Sequence, residues 1–173
     1  MAKKREHKFL NFISVVIILI FVGAIFMALG SGNLYKNTSS NQQSSSQIYR
    51  SKTLKFIISA SPNWQLQEEI TFVDLLSNEG KINISRIATN FSNVTDYLKD
   101  FDIKRNIVVE TENKLSIYDR ESVSRIEIFH GGPINKQKVY YIYVDNWVYS
   151  LSTYSEPLFG DLDQIAQSFK YTP

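Results

Sequence analysis

The stretch VYYIYVDNWVYSLST, residues 139–153, contains two β-rich segments on either side of Asp145-Asn146. Segments 139–144 and 147–153 are dominated by β-branched and aromatic residues, which favour extended strands. Aspartate and asparagine both tolerate positive φ angles, and two-residue hairpin loops of type I′ need such angles at both central positions. The sequence therefore predicts a tight antiparallel hairpin in this stretch.

The aromatic residues of this hairpin are the densest chemical feature of the chain. Because side chains alternate across a strand, about half of them point to each face of the sheet. The inward set belongs to the core. The outward set either forms an exposed patch of the kind that binds peptides or glycans, or is buried under the closing helix or the preceding strands. The candidate binding surface consists of Tyr140, Tyr141, Tyr143, Trp147, Tyr149 and Tyr154.

Upstream of the hairpin, short alternating segments separated by turn residues predict a mostly antiparallel sheet. Pro62, which lacks a backbone donor, ends the first segment, and Trp64 is predicted to fill the core behind it. The predicted strands are residues 54–60, 70–76, 81–87, 107–109, 115–118 and 122–129, with Asn113-Lys114 between the fourth and the fifth.

Two amphipathic helices are predicted among these strands. Ser92 or Asn93 can cap a helix over residues 94–104, and Pro157 suits the first turn of a closing helix. Apolar residues of the closing helix recur at i, i+4, i+7 and i+11, which makes a stripe wide enough to lie across a sheet. They are Leu158, Leu162, Ile165 and Phe169. The elements together predict an α+β fold, an antiparallel sheet sandwiched with two helices.

The order of these elements over residues 54–171 resembles the PsbP-like fold, shared by the photosystem II protein PsbP, Mog-type Ran-binding proteins and bacterial secreted proteins. The matching features are the strand that ends at Pro62 and Trp64, the helix near residues 94–104, the strand at 148–152 and the closing helix ending at 168–170. The resemblance implies an αβα sandwich and a role in binding or assembly rather than catalysis. It transfers no functional residues.

An uncharged apolar run, residues 9–29, precedes the predicted domain. At a rise of ~1.5 Å per residue, 21 residues make a helix about 32 Å long, close to the ~30 Å hydrocarbon core of a bilayer. A cleaved signal peptide is the alternative, but its apolar region is usually shorter. Four basic residues in 1–8 outnumber Glu6, so the positive-inside rule predicts a cytoplasmic N-terminus and an external C-terminal domain. The anchor and the stalk that follows argue against a thylakoid-lumen or nuclear role.

Composition divides the remaining chain into a polar stalk and an acidic domain. Residues 30–52 include NTSSNQQSSSQ at 37–47, which cannot bury enough apolar area to order itself, so a flexible tether is predicted. Residues 53–173 hold 12 Lys or Arg and 16 Asp or Glu, a net charge of −4, which is unlike a nucleic-acid-binding surface. The chain has no cysteine, which excludes disulfides and thiolate metal sites.

Few residues point to chemistry. His130 precedes two glycines, as in some esterase oxyanion holes, but the Gly-x-Ser-x-Gly elbow of those enzymes is missing. Asp96 and Asp100 are one turn apart and suit either a divalent cation or a solvated helix face. The sequence predicts no catalytic, cofactor-binding or metal-binding residue. It favours a membrane-anchored external binding or assembly module with a protein or cell-envelope partner; an envelope hydrolase and a structural subunit are the alternatives.

Overall fold

The computed structural model describes residues 46–129 and 136–173, which form ten strands and two α-helices. A short 3-10 turn, Glu156–Leu158, leads into the second helix. In chain order the elements are β1 (Gln47–Ser51), β2 (Phe56–Ala60), β3 (Gln65–Glu68), β4 (Phe72–Ser77), β5 (Gly80–Ala88), α1 (Val94–Arg105), β6 (Val108–Ile117), β7 (Arg120–Ile128), β8 (Lys136–Val144), β9 (Trp147–Thr153), α2 (Phe159–Gln167) and β10 (Lys170–Tyr171).

The strands form two antiparallel sheets. The larger sheet has the order β3-β4-β5-β9-β8-β7-β6, and the smaller has the order β1-β2-β10. The α+β class with two helices is confirmed, but the sequence predicted one sheet. The second sheet pairs strands from the two ends of the domain, a contact between distant segments that local sequence pattern does not encode.

The predicted hairpin lies at the centre of the larger sheet. Asp145 and Asn146 have φ angles of 48° and 65°, and Val144 pairs with Trp147 across the turn. This is the positive-φ geometry that a two-residue type I′ loop requires, so the prediction is confirmed. β9 pairs with β5 and β8 pairs with β7, so both strands of the hairpin are bonded on both edges.

The predicted break at Asn113-Lys114 is wrong. β6 runs without a turn from Val108 to Ile117, with a bulge between Val109 and Thr111, and pairs with β7 along its length. The turn comes later, at Tyr118-Asp119, where both residues have positive φ. Polar residues do not interrupt β6 because it is an edge strand whose side chains are mostly exposed.

The main core lies between one face of the larger sheet and a layer made of the smaller sheet and α2. The predicted stripe of the closing helix is confirmed, because all four of its residues are buried in this core. Trp64 is 7% exposed and fills the same core, as predicted.

The opposite face of the larger sheet carries α1. Asn93 is the N-cap, and its side-chain oxygen accepts a hydrogen bond of 2.8 Å from the backbone N–H of Asp96. The helix packs Val94 and Leu98 against β7, β8 and β9, which makes a second, smaller core. Because α1 is 12 residues long, it covers only part of this face.

Two predictions concern the N-terminal region. The proposed tether 30–52 is wrong over Gln47–Ser51, since β1 forms there and pairs with β2. Its order comes from Tyr49, which is buried and donates a 2.8 Å hydrogen bond to the carbonyl of Trp64. Segments 1–8 and 9–29 lie outside the described residues, and within the described ranges no helix is long and apolar enough to cross a bilayer.

Candidate functional site

The predicted aromatic surface does not exist as a unit, because three of its six residues are buried. Tyr140 and Tyr149 face the main core, and Tyr141 lies under α1 on the other face. Tyr140 donates a hydrogen bond to the carboxylate of Asp163 on α2. Burial together with this contact raises the pKa of Tyr140 to about 12. The phenols of Tyr140 and Tyr149 serve packing and internal hydrogen bonds.

Tyr143 and Trp147 are half-buried and occupy separate environments. The hydroxyl of Tyr143 lies 3.0 Å from both the carbonyl oxygen of Phe91 and Oδ1 of Asn146, and its one hydrogen can be donated to either. The ring of Trp147 lies under the guanidinium of Arg86, whose carbon is 4.4 Å from the ring centre. Both contacts join the hairpin end of the central strands to neighbouring segments of the fold.

Tyr141 and Tyr154 both line a pocket of about 210 Å³, which lies beside α1 on the face of the larger sheet that carries this helix. Tyr141 forms its inner end, while Tyr154 is 48% exposed and stands at its mouth. The walls of this aromatic pocket are completed by Tyr97 and Phe101 of α1 and by Phe129, which follows β7. The rings contact one another: Tyr97 stacks on Phe101 at 5.7 Å, and Phe129 lies 6.2 Å from Tyr154 between centroids.

A buried carboxyl lies at the inner end of the aromatic pocket. Glu127 is 1% exposed, and the hydroxyl of Tyr141 donates a 3.0 Å hydrogen bond to its Oε1. Burial raises the pKa of Glu127, although the Tyr141 bond and the charge of Arg125 partly oppose this shift. Burial also raises the pKa of Tyr141. A concave apolar site with a few placed polar groups is the usual form of a ligand pocket.

The wall formed by α1 is held in place by Arg125 of β7. Its guanidinium is 2.8 Å from Asp102 of α1 and 2.6 Å from Glu112 of β6, and its side chain is 6% exposed. Burial alone would lower the pKa of Arg125, but hydrogen bonds and charges from the two carboxylates outweigh it and raise the pKa. The arginine therefore stays charged and ties helix and edge strand to the sheet.

The surface continues past Tyr154 into a second hollow of about 330 Å³. Its lining includes Lys81, Asn83, Ser152 and Ser155. Tyr154 lines both the aromatic pocket and this second hollow. The two hollows therefore adjoin along the face of the sheet that α1 leaves open.

Comparison with known proteins bears on the fold. No protein-family model matches the sequence, and no curated protein matches it significantly. The chain is similar in structure to the solution structure of cyanobacterial PsbP (CyanoP) from Synechocystis sp. PCC 6803, with a TM-score of 0.51 over 74% of this chain and 93% of that one. The fold is PsbP-like. The two sequences are 10% identical, so the likeness is one of fold.

A larger cleft of about 400 Å³ lies elsewhere on the PsbP-like domain, between the loop after β2 and the β4–β5 turn. Its lining includes Asn63, Trp64, Glu79 and Asp161. Trp64 is almost wholly buried and offers little ring surface to a ligand. We therefore place the candidate site at the aromatic pocket, where aromatic rings line the open space itself.

The structure describes two of the three residues that the sequence analysis considered for catalysis or metal binding. His130 lies outside the described residues. Asp96 pairs with Lys99 and Asp100 pairs with Lys104, so both aspartates have partners along the exposed side of α1. Within residues 46–129 and 136–173, no group of three or more His, Cys, Asp or Glu side chains could hold a metal ion.

Sequence reasoning missed Glu127, Phe129, Tyr97 and Phe101. A local signal for Glu127 existed, because it shares strand parity with the buried Val123 and therefore points into the protein. The predicted helix 94–104 contained Tyr97 and Phe101, but nothing in their spacing shows which strands they contact.

Replacing Glu127 with glutamine is expected to change how stability depends on pH. Its pKa in the folded domain lies above the ordinary value of 4.5. The stability that protonation contributes is thus present below about pH 4.5 and lost as the pH rises through the folded pKa. The variant lacks this loss, so its unfolding free energy relative to wild type should increase between pH 4.5 and pH 8, as measured by urea denaturation.

A matched variant checks the cause. Tyr141→Phe removes the hydrogen bond that favours the ionised carboxylate, so the wild-type loss of stability with rising pH should become larger. A Glu127→Gln difference that stays constant with pH would contradict the assigned pKa shift.

Proposed function

We propose that this chain is a membrane-anchored, extracytoplasmic binding or assembly module that engages a protein partner of the cell envelope through the aromatic pocket. The observation that carries the proposal is the open, ring-lined pocket with a buried carboxyl beside α1. Packed cores bury such rings against other side chains, whereas here the rings of Phe129 and Tyr154 border free space.

The proposed location rests on sequence chemistry. Residues 9–29 are apolar and long enough to span a bilayer, and the excess of lysine and arginine in residues 1–8 favours a cytoplasmic N-terminus. Because β1 begins at Gln47, residues 30–46 remain for a tether. Seventeen residues of flexible chain have an r.m.s. span of roughly 20–25 Å, which would keep the domain near the membrane surface.

The PsbP-like fold agrees with this proposal without deciding it. The sandwich presents one helix on each side of the larger sheet, and the aromatic pocket lies beside α1. The acidic balance of residues 53–173 favours partners with basic or neutral surfaces over nucleic acids.

Site-specific photo-crosslinking in intact cells that produce the full-length chain tests the proposal. A photo-reactive phenylalanine analogue replaces Ile87, which is 51% exposed and lines the aromatic pocket, in the full-length chain. The expected result is a discrete crosslinked species, in alkaline-washed membranes, that an external protease can digest.

The matched control carries the same analogue at Ile48, which is 69% exposed on the smaller sheet. This position should give no such species, because the smaller sheet does not border the pocket. Equal crosslinking from both positions, no crosslinking from Ile87, or a domain protected inside the cell would each overturn the proposal.

A further inference from the structure

We propose that the aromatic pocket binds the side chain of a lysine, presented by an extended segment of a partner protein, with the Glu127 carboxylate as its counter-ion. This inference rests on the proposed function and specifies what the pocket recognises. It follows from the size of the pocket, the unused hydrogen-bond acceptor positions of its carboxylate, the charges around it and the chemistry of its walls.

Size restricts the occupant to a single side chain. The volume of about 210 Å³ is that of roughly seven water molecules at ~30 Å³ each. Sites for drug-sized molecules usually hold about 300–1,000 Å³. The pocket therefore suits one long, slender group that enters from the mouth at Tyr154 and reaches the carboxyl at the inner end.

The carboxyl at the inner end is only partly used. An ionised carboxylate has about four acceptor positions. Among the described residues, Tyr141 supplies the one hydrogen bond that Glu127 receives. A buried carboxylate is stabilised by a hydrogen-bonded cation, so an ammonium group in the pocket would gain a strong partner and relieve the cost of burying Glu127.

The cations already nearby do not satisfy Glu127. Arg125 is shared between Asp102 and Glu112, so two negative charges already offset its single positive charge. Arg105 lines the pocket, and its guanidinium lies over the ring of Phe101 at 5.4 Å. Glu127 and Arg105 balance in charge among the described lining residues, and Arg125, Asp102 and Glu112 nearby add one further negative charge when ionised, which favours an additional cation.

The walls favour a positive charge on an apolar stem. Aromatic faces attract cations, and the Arg105–Phe101 contact shows one ring of this pocket used in that way. The methylene stem of lysine can pack along Tyr97 and Tyr141 while its ammonium reaches the carboxylate. Arginine fits less well, because its planar fork prefers two free carboxylate oxygens and Tyr141 holds one of them.

The second hollow gives the rest of the segment a place to lie. It adjoins the pocket at Tyr154 and runs beside Asn83, Ser152 and Ser155 at the edge of the open face. The surface that this hollow presents is mostly apolar, so it suits the residue next to the lysine, whereas the pocket takes the lysine side chain itself. Two adjoining hollows suit neighbouring residues of a peptide better than a free amine.

Peptide titration against the full chain in detergent micelles tests the inference. The probes are acetyl-Gly-Gly-Lys-Gly-Gly-amide and its norleucine analogue, which has nearly the same stem but no charge. Dissociation constants are obtained by NMR line broadening of the peptide. The lysine peptide should bind about tenfold more tightly or better, because hydrogen bonds to charged groups contribute about that much.

Variants assign the preference to the carboxyl. Glu127→Gln should abolish it, leaving the two peptides with equal affinity. Glu121→Gln removes an exposed carboxyl from the same strand and should keep it. Circular dichroism of both variants establishes that they are folded, and the glutamine variant is expected to be at least as stable as wild type at neutral pH.

Several results would overturn the inference. They are equal binding of the lysine and norleucine peptides to wild type, a lysine preference that survives Glu127→Gln, and tighter binding of the same peptide with arginine or glutamate in place of lysine. If Ile87 still crosslinks to a partner in cells, such a result removes the lysine assignment and leaves the binding module in place. If neither the lysine preference nor the crosslink from Ile87 is observed, both the lysine assignment and the proposed function fail.

Discussion

Replacing Phe169 with alanine is expected to lower the free energy of unfolding by about 3–5 kcal/mol, the usual cost of truncating a fully buried phenylalanine. Phe169 follows α2 and is buried between the two sheets. Its ring stacks on Phe56 of β2 at 5.7 Å and lies 5.0 Å from Tyr149 of β9. The truncation therefore opens a cavity where both sheets and the closing helix meet.

Urea denaturation followed by circular dichroism measures this loss. The control is Gln167→Ala, two residues away on the exposed side of α2, which should change the unfolding free energy by less than about 0.5 kcal/mol. A loss below about 1 kcal/mol for Phe169→Ala would mean that the three rings do not pack as described. Since domains of this size are stable by about 5–15 kcal/mol, the variant should still fold in the cold.

Replacing Arg125 with methionine is expected to cost about 2–3 kcal/mol. Breaking a buried ion pair usually costs about 3–5 kcal/mol, but Asp102 and Glu112 are 26% and 36% exposed and can recover some hydration. Methionine keeps much of the volume, so the loss reports on the charge and its hydrogen bonds. The change also frees α1 from the sheet, so faster amide hydrogen exchange is expected in α1 than in α2.

The matched control is Lys104→Met on the same helix. Lys104 and Asp100 form an ion pair of 2.7 Å, but both side chains are exposed, so its loss should cost no more than about 0.5 kcal/mol. If both variants lose equal stability, the Arg125 network contributes no more than a surface pair. If Arg125→Met leaves hydrogen exchange in α1 unchanged, another contact holds the wall of the aromatic pocket.

Some parts of the fold could be predicted from local sequence alone. The hairpin turn was predictable because Asp145 and Asn146 adopt positive φ through their own side-chain chemistry. The same holds for the cap at Asn93 and for the apolar stripe that ends in Phe169, since helical spacing alone places those residues on one face.

The sequence-based prediction was wrong for two segments whose conformation is not decided by their neighbours along the chain. Two separate strands were predicted on either side of Asn113-Lys114, but pairing with β7 keeps β6 extended through both residues. The polar composition near Gln47 indicated a tether, but Tyr49 finds a partner at Trp64, 15 residues away. In both places hydrogen bonds to another segment, β7 for β6 and the carbonyl of Trp64 for Tyr49, outweigh local preference.

The site shows the same division. Alternation along the strands predicted that the tyrosines of residues 139–153 divide between two faces, and they do. It could not predict that α1 buries Tyr141 while leaving Tyr154 at an open mouth. That outcome depends on the length of α1 and on where the Arg125 network holds it.

The sequence by itself determined the elements that depend on nearby residues: the hairpin turn, the two helices, the alternation of the strands and the acidic charge of the domain. Tertiary structure decided the second sheet, the continuity of β6 and the position of Glu127 in a ring-lined pocket. These features join residues far apart in the chain, such as Tyr97, Glu127 and Tyr154. Their free energy comes from packing and burial, which arise only when the separate elements meet.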